Sequence, residues 1–212
     1  MIVDWEERLR ERARSSGFTP RADRFYFLRH GQTDHNRQKI CQGHTDVPLN
    51  AIGLSQAEVA AAVLAAAKPV AITASDLMRV RQTAAPVARR LDLEIAIDPN
   101  LRERSFGIFE DQPIEGQLWS FDHPSVETIE AFVDRSLSGF EAALIADDVL
   151  MVTHGGVRRV LAGALGMDMP YWSGHNALPM RFTREASGWK AEAMTQAGVW
   201  PTDGPEPSDL DR

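Results

Sequence analysis

The sequence predicts an α/β fold, a single-domain three-layer α/β/α sandwich with a mainly parallel central sheet. Short apolar runs of four or five residues alternate along the chain with longer segments in which apolar residues recur three and four apart. Strands that alternate with helices in this way form a parallel sheet that helices cover on both faces. The length of 212 residues suits one hydrophobic core, and no internal repeat indicates a second unit.

The strands are predicted from continuous or alternating apolar residues. They are residues 25–28, 70–73, 93–97 and 149–153, followed by an antiparallel pair within 178–194. The first run is apolar throughout and the fourth is apolar up to its last residue, Thr153, which is typical of strands that are buried on both faces. The final pair is expected to turn at Ala186, Ser187 and Gly188.

The helices are predicted from capping residues and from the helical repeat. Ser55 and Glu58 have the spacing of a capping box, which would open an alanine-rich helix that ends near Ala67. Apolar residues spaced three and four apart between positions 126 and 144 predict a long amphipathic helix. The other predicted helices are residues 78–91, residues 156–165 and a short amphipathic helix through Trp5, Leu9 and Ala13.

The composition argues against several classes of partner. The net charge of −7 offers no diffuse basic surface, so we expect neither nucleic acid nor an anionic membrane to bind. Cys41 is the only cysteine, which excludes an intrachain disulfide and a thiolate metal cluster. No apolar run is long enough to cross a bilayer, and the charged N-terminus does not resemble a signal peptide. We therefore predict a cytoplasmic protein, in which any site for an anionic substrate must carry local positive charge.

Histidine and arginine side chains follow three of the predicted strands. Arg29 and His30 come directly after the first strand, Arg79 follows the second closely, and His154 with Gly155 follows the fourth. The carboxyl ends of parallel strands meet at one edge of a sheet, where ligands bind. A single histidine at a strand end is more often structural, so the prediction of a site depends on the coincidence of these residues. The helix that begins after His154 adds free N–H groups, which favour an anion.

Residues 28–33, together with Asn36, resemble the Arg-His-Gly-x-Thr signature of the histidine phosphatase superfamily, which includes the cofactor-dependent phosphoglycerate mutases. The resemblance extends from about Phe25 to beyond Asn176. It continues, in the order of the family, through Gln42-Gly43, Ser75-x-Leu77-x-Arg79, Leu101-x-Glu103 and Val152-Thr153-His154-Gly155-Gly156. It implies a phosphoglycerate mutase-like fold in which residues 25–200 are the catalytic domain. Residues 1–24 would then be a helical N-terminal extension, and residues 201–212 a disordered tail.

The resemblance also implies a phosphoryl-transfer site that needs neither a metal ion nor a cofactor. His30 would be the nucleophile that forms a phosphohistidine, with His154 as the second pocket histidine and Glu103 as the general acid. Arg29 and Arg79 would hold the phosphate, a task that suits the fork of a guanidinium. The residues expected to bind the substrate are Arg29, Asn36, Gln42, Gly43, Arg79, His154 and Gly155.

The segment after Glu103 favours a phosphatase over a mutase. Residues 105–134 contain no lysine or arginine but seven acidic residues, which would repel a bisphosphorylated acid. The segment is also short, so water is expected to reach the pocket. We therefore predict hydrolysis of a small phosphomonoester whose remaining part is neutral or modestly polar. A phosphoglycerate mutase and a non-catalytic binder of phosphorylated ligands remain as alternatives.

Three further expectations concern the surroundings of the site. Apolar side chains of the same segment could form a wall for the substrate or pack in the core; they are Phe106, Phe109, Leu118, Trp119 and Phe121. For Phe106 and Leu118, core packing is the preferred interpretation. His44 is expected to be a solvated loop histidine. The sequence leaves open a homodimer that forms through the N-terminal extension or through a sheet edge.

Overall fold

The computed structural model describes residues 5–114, 118–120, 123–168 and 174–194, and a six-stranded sheet forms its centre. The strands are β1 Arg24–Arg29, β2 Ala71–Ala74, β3 Ile95–Ile97, β4 Val149–Thr153, β5 Pro179–Glu185 and β6 Gly188–Ala193. Their order is β3-β2-β4-β1-β5-β6. The first four are mutually parallel, whereas β5 and β6 add an antiparallel edge. The predicted α/β fold with a mainly parallel sheet is confirmed.

Six α-helices connect or precede these strands in the described part of the chain. They are α1 Trp5–Ser15, α2 Asp34–Gln38, α3 Ala51–Ala67, α4 Met78–Leu91, α5 Ile129–Ala143 and α6 Gly155–Ala164. Short 3-10 turns lie at Pro99–Leu101, Gly107–Phe109 and Leu118–Ser120. Among the described helices, none combines the length and the apolar character that a membrane span requires.

The two faces of the sheet build two hydrophobic clusters because successive side chains of a strand point in opposite directions. Phe25 and Phe27 of β1 join the cluster beneath α1, α5 and α6. Tyr26 and Leu28, the alternate residues of the same strand, join the cluster beneath α3 and α4. The molecule therefore has three layers, and the sheet lies between the two helical ones.

The N-terminus of α3 differs from the prediction. The helix begins at Ala51, and its cap is Asn50, whose side chain accepts a hydrogen bond from the Gly53 N–H at 2.9 Å. Ser55 lies within the first turns of the helix and is exposed. An Asn before the helix competes with a Ser-x-x-Glu pattern for the role of cap, and here the Asn prevails because its side chain reaches the free N–H.

The helix α2 was not predicted from the sequence, because its five residues are too few to show an amphipathic repeat. It forms because Thr33 and Asn36 make a reciprocal capping box at its N-terminus.

The division of the chain into residues 1–24, 25–200 and 201–212 stays a prediction, and the proposed disordered tail lies outside the described residues.

The two candidate caps of α3 can be compared by mutation. We expect Asn50→Ala to lower the free energy of unfolding by about 0.5–2 kcal/mol, because it leaves a helix N–H unsatisfied. Ser55→Ala, at an exposed position inside the helix, should change it by less than about 0.5 kcal/mol. Urea unfolding followed by circular dichroism measures both values. A larger loss for Ser55→Ala than for Asn50→Ala would contradict this assignment.

Candidate active site

The carboxyl ends of β1, β2 and β4 bring the predicted site residues together. In the sheet, Arg29 of β1 lies opposite Thr153 of β4, and Ala74 of β2 lies opposite Val152. The residues that follow these strands therefore emerge at one edge. The rings of His30 and His154 are 5.3 Å apart between centroids, with an angle of 62° between their planes.

His30 is held in one orientation and one tautomer. Its side chain is buried, with 3% of its surface exposed, and Nδ1 lies 2.8 Å from the Gly31 carbonyl oxygen. A carbonyl oxygen can only accept, so Nδ1 of the neutral ring carries the proton and Nε2 keeps its lone pair. The backbone is fixed as well, because the His30 N–H donates to Thr153 O at 2.9 Å.

Two residues that were not predicted as site residues brace the His30 loop. Asn176 donates from Nδ2 to the His30 carbonyl oxygen at 2.9 Å. Thr83 of α4 accepts the Gly31 N–H at 2.9 Å and donates to the Arg79 carbonyl oxygen at 2.7 Å. Position 31 requires glycine, because a Cβ there would lie 2.6 Å from Gly53 O. The loop is thus tied to α4 and packed against α3.

Arg79 is a cation buried in the protein interior, with 1% of its residue surface exposed. Its guanidinium donates to the carbonyl oxygens of Thr45 at 2.9 Å and Gly43 at 2.8 Å. Burial lowers the pKa of Arg79 to about 10, so the group still carries its charge at neutral pH. This charge lies close enough to both histidines to affect their ionisation.

Arg29 and His154 complete the polar group at this edge. The half-buried Arg29 guanidinium donates to the Gly174 carbonyl oxygen. His154 is fully buried, and its Nε2 lies 3.1 Å from Ser75 Oγ. In the described residues, His154 Nδ1 and Arg79 Nε are buried without a hydrogen-bond partner. Native proteins rarely bury such atoms unsatisfied, and they often mark functional sites.

Both histidines are disfavoured as cations. The pKa of His30 lies well below its ordinary value because the ring is buried and because Arg79 and Arg29 are positively charged. The pKa of His154 is lowered by burial, by Arg79 and by His30 itself. A neutral imidazole with a free lone pair is a competent nucleophile, whereas an imidazolium is not.

Glu103 lies at the N-terminus of α6. Its carboxylate accepts the Gly156 N–H at 2.8 Å through Oε2 and the Arg104 N–H at 2.8 Å through Oε1. One of the helix N–H groups that we expected to favour a substrate anion is therefore taken by Glu103. A Cβ at Gly156 would overlap this carboxylate, so the close approach requires a glycine.

The backbone of Glu103 is held from two further sides. Arg135 of α5 donates to the Glu103 carbonyl oxygen at 2.8 Å and forms an ion pair with Glu127 at 2.6 Å. His44 also lies 2.8 Å from that oxygen through Nε2. The expectation of a solvated His44 is therefore wrong, because the ring supports the loop that presents Glu103.

The other predicted substrate-binding residues surround the His30 loop and Arg79. Asn36 Oδ1 accepts the Thr33 N–H at 3.1 Å, and Gln42 Oε1 accepts from the Thr33 hydroxyl at 2.9 Å. The Gly43 carbonyl oxygen supports Arg79, and Gly155 is the first residue of α6. The amide oxygens thus shape the loop, and the phosphate-binding roles of these residues stay predictions.

The predicted apolar wall divides into two parts. Phe106 is buried beside Cys41 and Val126 and belongs to the core. Burial of the neighbouring Cys41 raises the pKa of its thiol to about 12. Trp119 instead lies over Gly156, next to Glu103. The Leu118 side chain and Phe121 lie outside the described residues.

The part of the chain that the structure describes has no group of three or more His, Cys, Asp or Glu placed to hold a metal ion.

Residues 25–196 match the histidine phosphatase superfamily, branch 1. The chain belongs to this superfamily. The family predicted from the motifs is confirmed. The predicted enzyme class is phosphatase, and several relatives of the chain are named phosphatases.

The chain is similar to two agropine synthesis reductases of Rhizobium rhizogenes, one of which is 33% identical over 79% of this chain. The chain spans only 41% of the length of these relatives. A glucosyl-3-phosphoglycerate phosphatase of Mycobacterium tuberculosis is 33% identical over 73% of this chain and 65% of its own. The solved structure of a mycobacterial glucosyl-3-phosphoglycerate phosphatase with VO3 superimposes with a TM-score of 0.64. It is 25% identical, covering 81% of this chain and 98% of that one.

The lowered pKa of the histidines predicts a dependence of stability on pH. Below about pH 6.5, unfolded histidines take up protons that folded His30 and His154 do not, so stability is full above this pH and falls below it. The loss is up to about 1.4 kcal/mol per pH unit for each histidine. Urea unfolding at pH 7.5 and 5.5 should therefore show a smaller loss for His30→Asn than for the parent. Equal losses would mean that His30 ionises freely in the folded protein.

Proposed function

We propose that this protein is a metal-independent phosphomonoester hydrolase that acts through a phosphohistidine on a small phosphorylated substrate. The observation that carries the proposal is the buried, neutral His30, whose Nδ1–H is bound to Gly31 O and whose Nε2 lone pair is available beside two arginines. Covalent catalysis by such a nucleophile divides one difficult displacement into two easier ones.

The phosphate binds between the cations and the second histidine. In phosphoryl transfer the charge is spread over the equatorial oxygens, so catalysis depends on positioned donors. Arg29 and Arg79 supply positive charge, and Arg79 does so without solvent screening because it is buried. His154 faces the same phosphate and donates to it. The buried Arg79 Nε and His154 Nδ1 would thereby gain the partners that they lack in the described residues.

Glu103 serves as the general acid and base. As Nε2 of His30 bonds to phosphorus and the ester bond breaks, Glu103 gives its proton to the leaving oxygen; it has taken this proton from the monoanionic form of the substrate. In the second step Glu103 takes a proton from the water whose oxygen bonds to phosphorus, while the bond from phosphorus to His30 Nε2 breaks and phosphate is released. Such proton transfers contribute about 10²–10⁴-fold to a rate. The two N–H bonds to its carboxylate support a fixed position for this task.

Hydrolysis is favoured over mutase activity by the charge of the segment that follows Glu103. Residues 105–134 carry no lysine or arginine to hold a second phosphate or a carboxylate. The acidic residues in their described part are Glu110, Asp111, Glu127, Glu130 and Asp134. The phosphatase names of similar proteins support the same reaction. The VO3 in one of them is an oxyanion of phosphate type. The neutral remainder of the substrate, the cytoplasmic location and the homodimer stay predictions.

The proposal is tested by phosphate release in excess EDTA from a panel of monoesters with neutral, cationic or carboxylate-bearing remainders. We expect EDTA-insensitive release that is strongest for a neutral remainder, and a loss of roughly 10⁴-fold or more in His30→Ala. A base-stable and acid-labile label, transferred from a phosphomonoester that carries radioactive phosphorus, should appear on the parent and not on His30→Ala. His123→Ala, which alters a histidine away from this sheet edge, serves as the matched control.

Release that EDTA abolishes, or that survives in His30→Ala, would overturn the mechanism. Isomerisation of 3-phosphoglycerate with negligible phosphate release would instead establish the mutase. Tight binding of phosphorylated ligands with neither reaction would establish the non-catalytic binder.

The placement of Glu103 gives a second test. Gly156→Ala puts a Cβ onto the Glu103 carboxylate and 2.6 Å from Trp119 Cη2, so the carboxylate must move. We expect turnover of an alkyl phosphate to fall by roughly tenfold or more, a part of the contribution of a general acid. Binding of inorganic phosphate, measured by calorimetry, should stay near that of the parent because the cations are untouched. Unchanged turnover would remove Glu103 from its assigned role.

A further inference from the structure

The helix α1 precedes the matched region, residues 25–196, and yet it reaches the candidate active site. It packs on α5 and α6. At its start, the buried Trp5 stacks on Trp119, with 4.9 Å between ring centroids and 23° between the ring planes. Trp119 belongs to the segment between Glu103 and α5. A contact between two tryptophans therefore joins the N-terminal helix to the wall of the site.

Trp119 borders the carboxylate of Glu103. A Cβ placed on Gly156 would meet both the Glu103 carboxylate and Trp119 Cη2, so the two side chains lie over the same glycine. They also share Arg104 as a neighbour. The Arg104 guanidinium donates to the Trp119 carbonyl oxygen at 2.8 Å, and its backbone N–H donates to Glu103 Oε1 at 2.8 Å. A displacement of Trp119 would therefore shift Glu103, both through the contact with the ring and through Arg104.

Trp5 makes a contact with Trp119 that the other neighbouring rings do not make. Phe106 meets Trp119 edge to face, with 5.5 Å between centroids and 87° between planes, and Phe132 meets it at 5.9 Å and 55°. Trp5 is the ring that lies parallel to Trp119 in the described part of the chain. Stacked aromatic pairs are stabilised beyond the area that they bury.

Trp5 is itself held firmly by the docking of α1. Leu9 and Ala13 on the same face of the helix are fully buried. Arg12 makes two hydrogen bonds to the Asp134 carboxylate of α5, at 2.9 and 2.8 Å. The Arg159 guanidinium of α6 lies 5.3 Å from the Trp5 ring centre. The ring is therefore a fixed support rather than a loosely attached terminus.

We propose that Trp5 is a positioning residue for Glu103 and acts through Trp119. The inference rests on the proposed function, because it concerns the step in which Glu103 gives its proton to the leaving oxygen. In that step the bond from His30 Nε2 to phosphorus forms as the ester bond breaks. A poor leaving group such as an alkoxide needs the proton, whereas 4-nitrophenolate leaves readily without it. The support from Trp5 should therefore matter for alkyl esters and hardly matter for 4-nitrophenyl phosphate.

The test compares kcat/KM of full-chain variants on glycerol 3-phosphate and on 4-nitrophenyl phosphate, because kcat/KM reports the step in which the leaving group departs and excludes the later attack of water. We expect Trp5→Ala to lower kcat/KM on glycerol 3-phosphate by roughly tenfold or more, a fraction of what a general acid contributes. The kcat/KM on 4-nitrophenyl phosphate should fall by less than about twofold, since departure of that leaving group needs little proton transfer. Glu103→Gln sets the largest discrimination between the two substrates that loss of the acid can produce.

Three variants separate positioning from general damage to the extension. Phe18→Ala removes another aromatic ring that packs on α5, through Phe140 at 5.8 Å, and it should affect both substrates alike. Trp5→Phe keeps a ring and should restore most of the activity on glycerol 3-phosphate. Trp5→Leu keeps the apolar burial without a ring and provides a folded variant if Trp5→Ala is unstable; it should show the same selective loss.

A double-mutant cycle tests the route through Trp119. If Trp5 acts through that ring, Trp5→Ala should add no further loss in a Trp119→Ala background. Additive losses, equal losses of kcat/KM on both substrates, or an unchanged kcat/KM on glycerol 3-phosphate would each overturn this inference while the His30-dependent activity of the parent upheld the proposed function. Failure of the proposed function would show in the parent itself, as release that EDTA abolishes or that persists in His30→Ala.

Discussion

The burial of Arg79 is the constraint on which the rest of the site depends. A cation removed from water is costly unless charges or hydrogen bonds compensate for it. In the described residues the Arg79 guanidinium donates to the carbonyl oxygens of Gly43 and Thr45, and the negative charges of Glu103 and Asp46 offset part of the cost. The cost appears as a pKa lowered to about 10, which still leaves the group charged. Burial, together with the charge of Arg79, lowers the pKa of His30 and of His154 well below its ordinary value. In the proposed function, one buried guanidinium would therefore both help to keep the nucleophile neutral and favour an incoming anion.

The parallel sheet makes this arrangement possible because β4 lies between β1 and β2. Its last residue, Thr153, accepts the His30 N–H at 2.9 Å through its carbonyl oxygen. The hydroxyl of the same threonine donates to Leu101 O at 2.7 Å, which anchors the segment leading to Glu103. The next residue is His154, beside Ser75 from the end of β2. His30, His154 and Glu103 are thus all positioned from the end of one central strand, and a small change in its register would misplace all three.

Much of the fold and of the candidate site could be predicted from the sequence, because strand ends and family motifs are local signals. The strand at residues 149–153 and the helix at residues 78–91 begin and end at the predicted residues. The convergence of His30, Arg79 and His154 follows from parallel topology alone. The supports could not be predicted in the same way. Asn176 and Thr83 act through single hydrogen bonds between distant segments, and α2 depends on a capping box rather than on a repeat. The stacking of Trp5 on Trp119 joins residues with no local pattern in common, so only the tertiary packing of α1 reveals it.

The two halves of the site rest on different supports, and this has a consequence for selectivity. The histidines and Arg79 are buried in or beside the sheet, so substitutions there disturb folding and phosphate binding together. Glu103 and Trp119 lie on loops that are fixed by Arg104, Arg135 and the aromatic side chains of α1 and α5. Loops carried by a rigid scaffold can change without loss of the core. Under the proposed function, the phosphate half would therefore fix the reaction, whereas the half that holds Glu103 could vary with the leaving group, and the part of the substrate beyond the phosphate would be distinguished there.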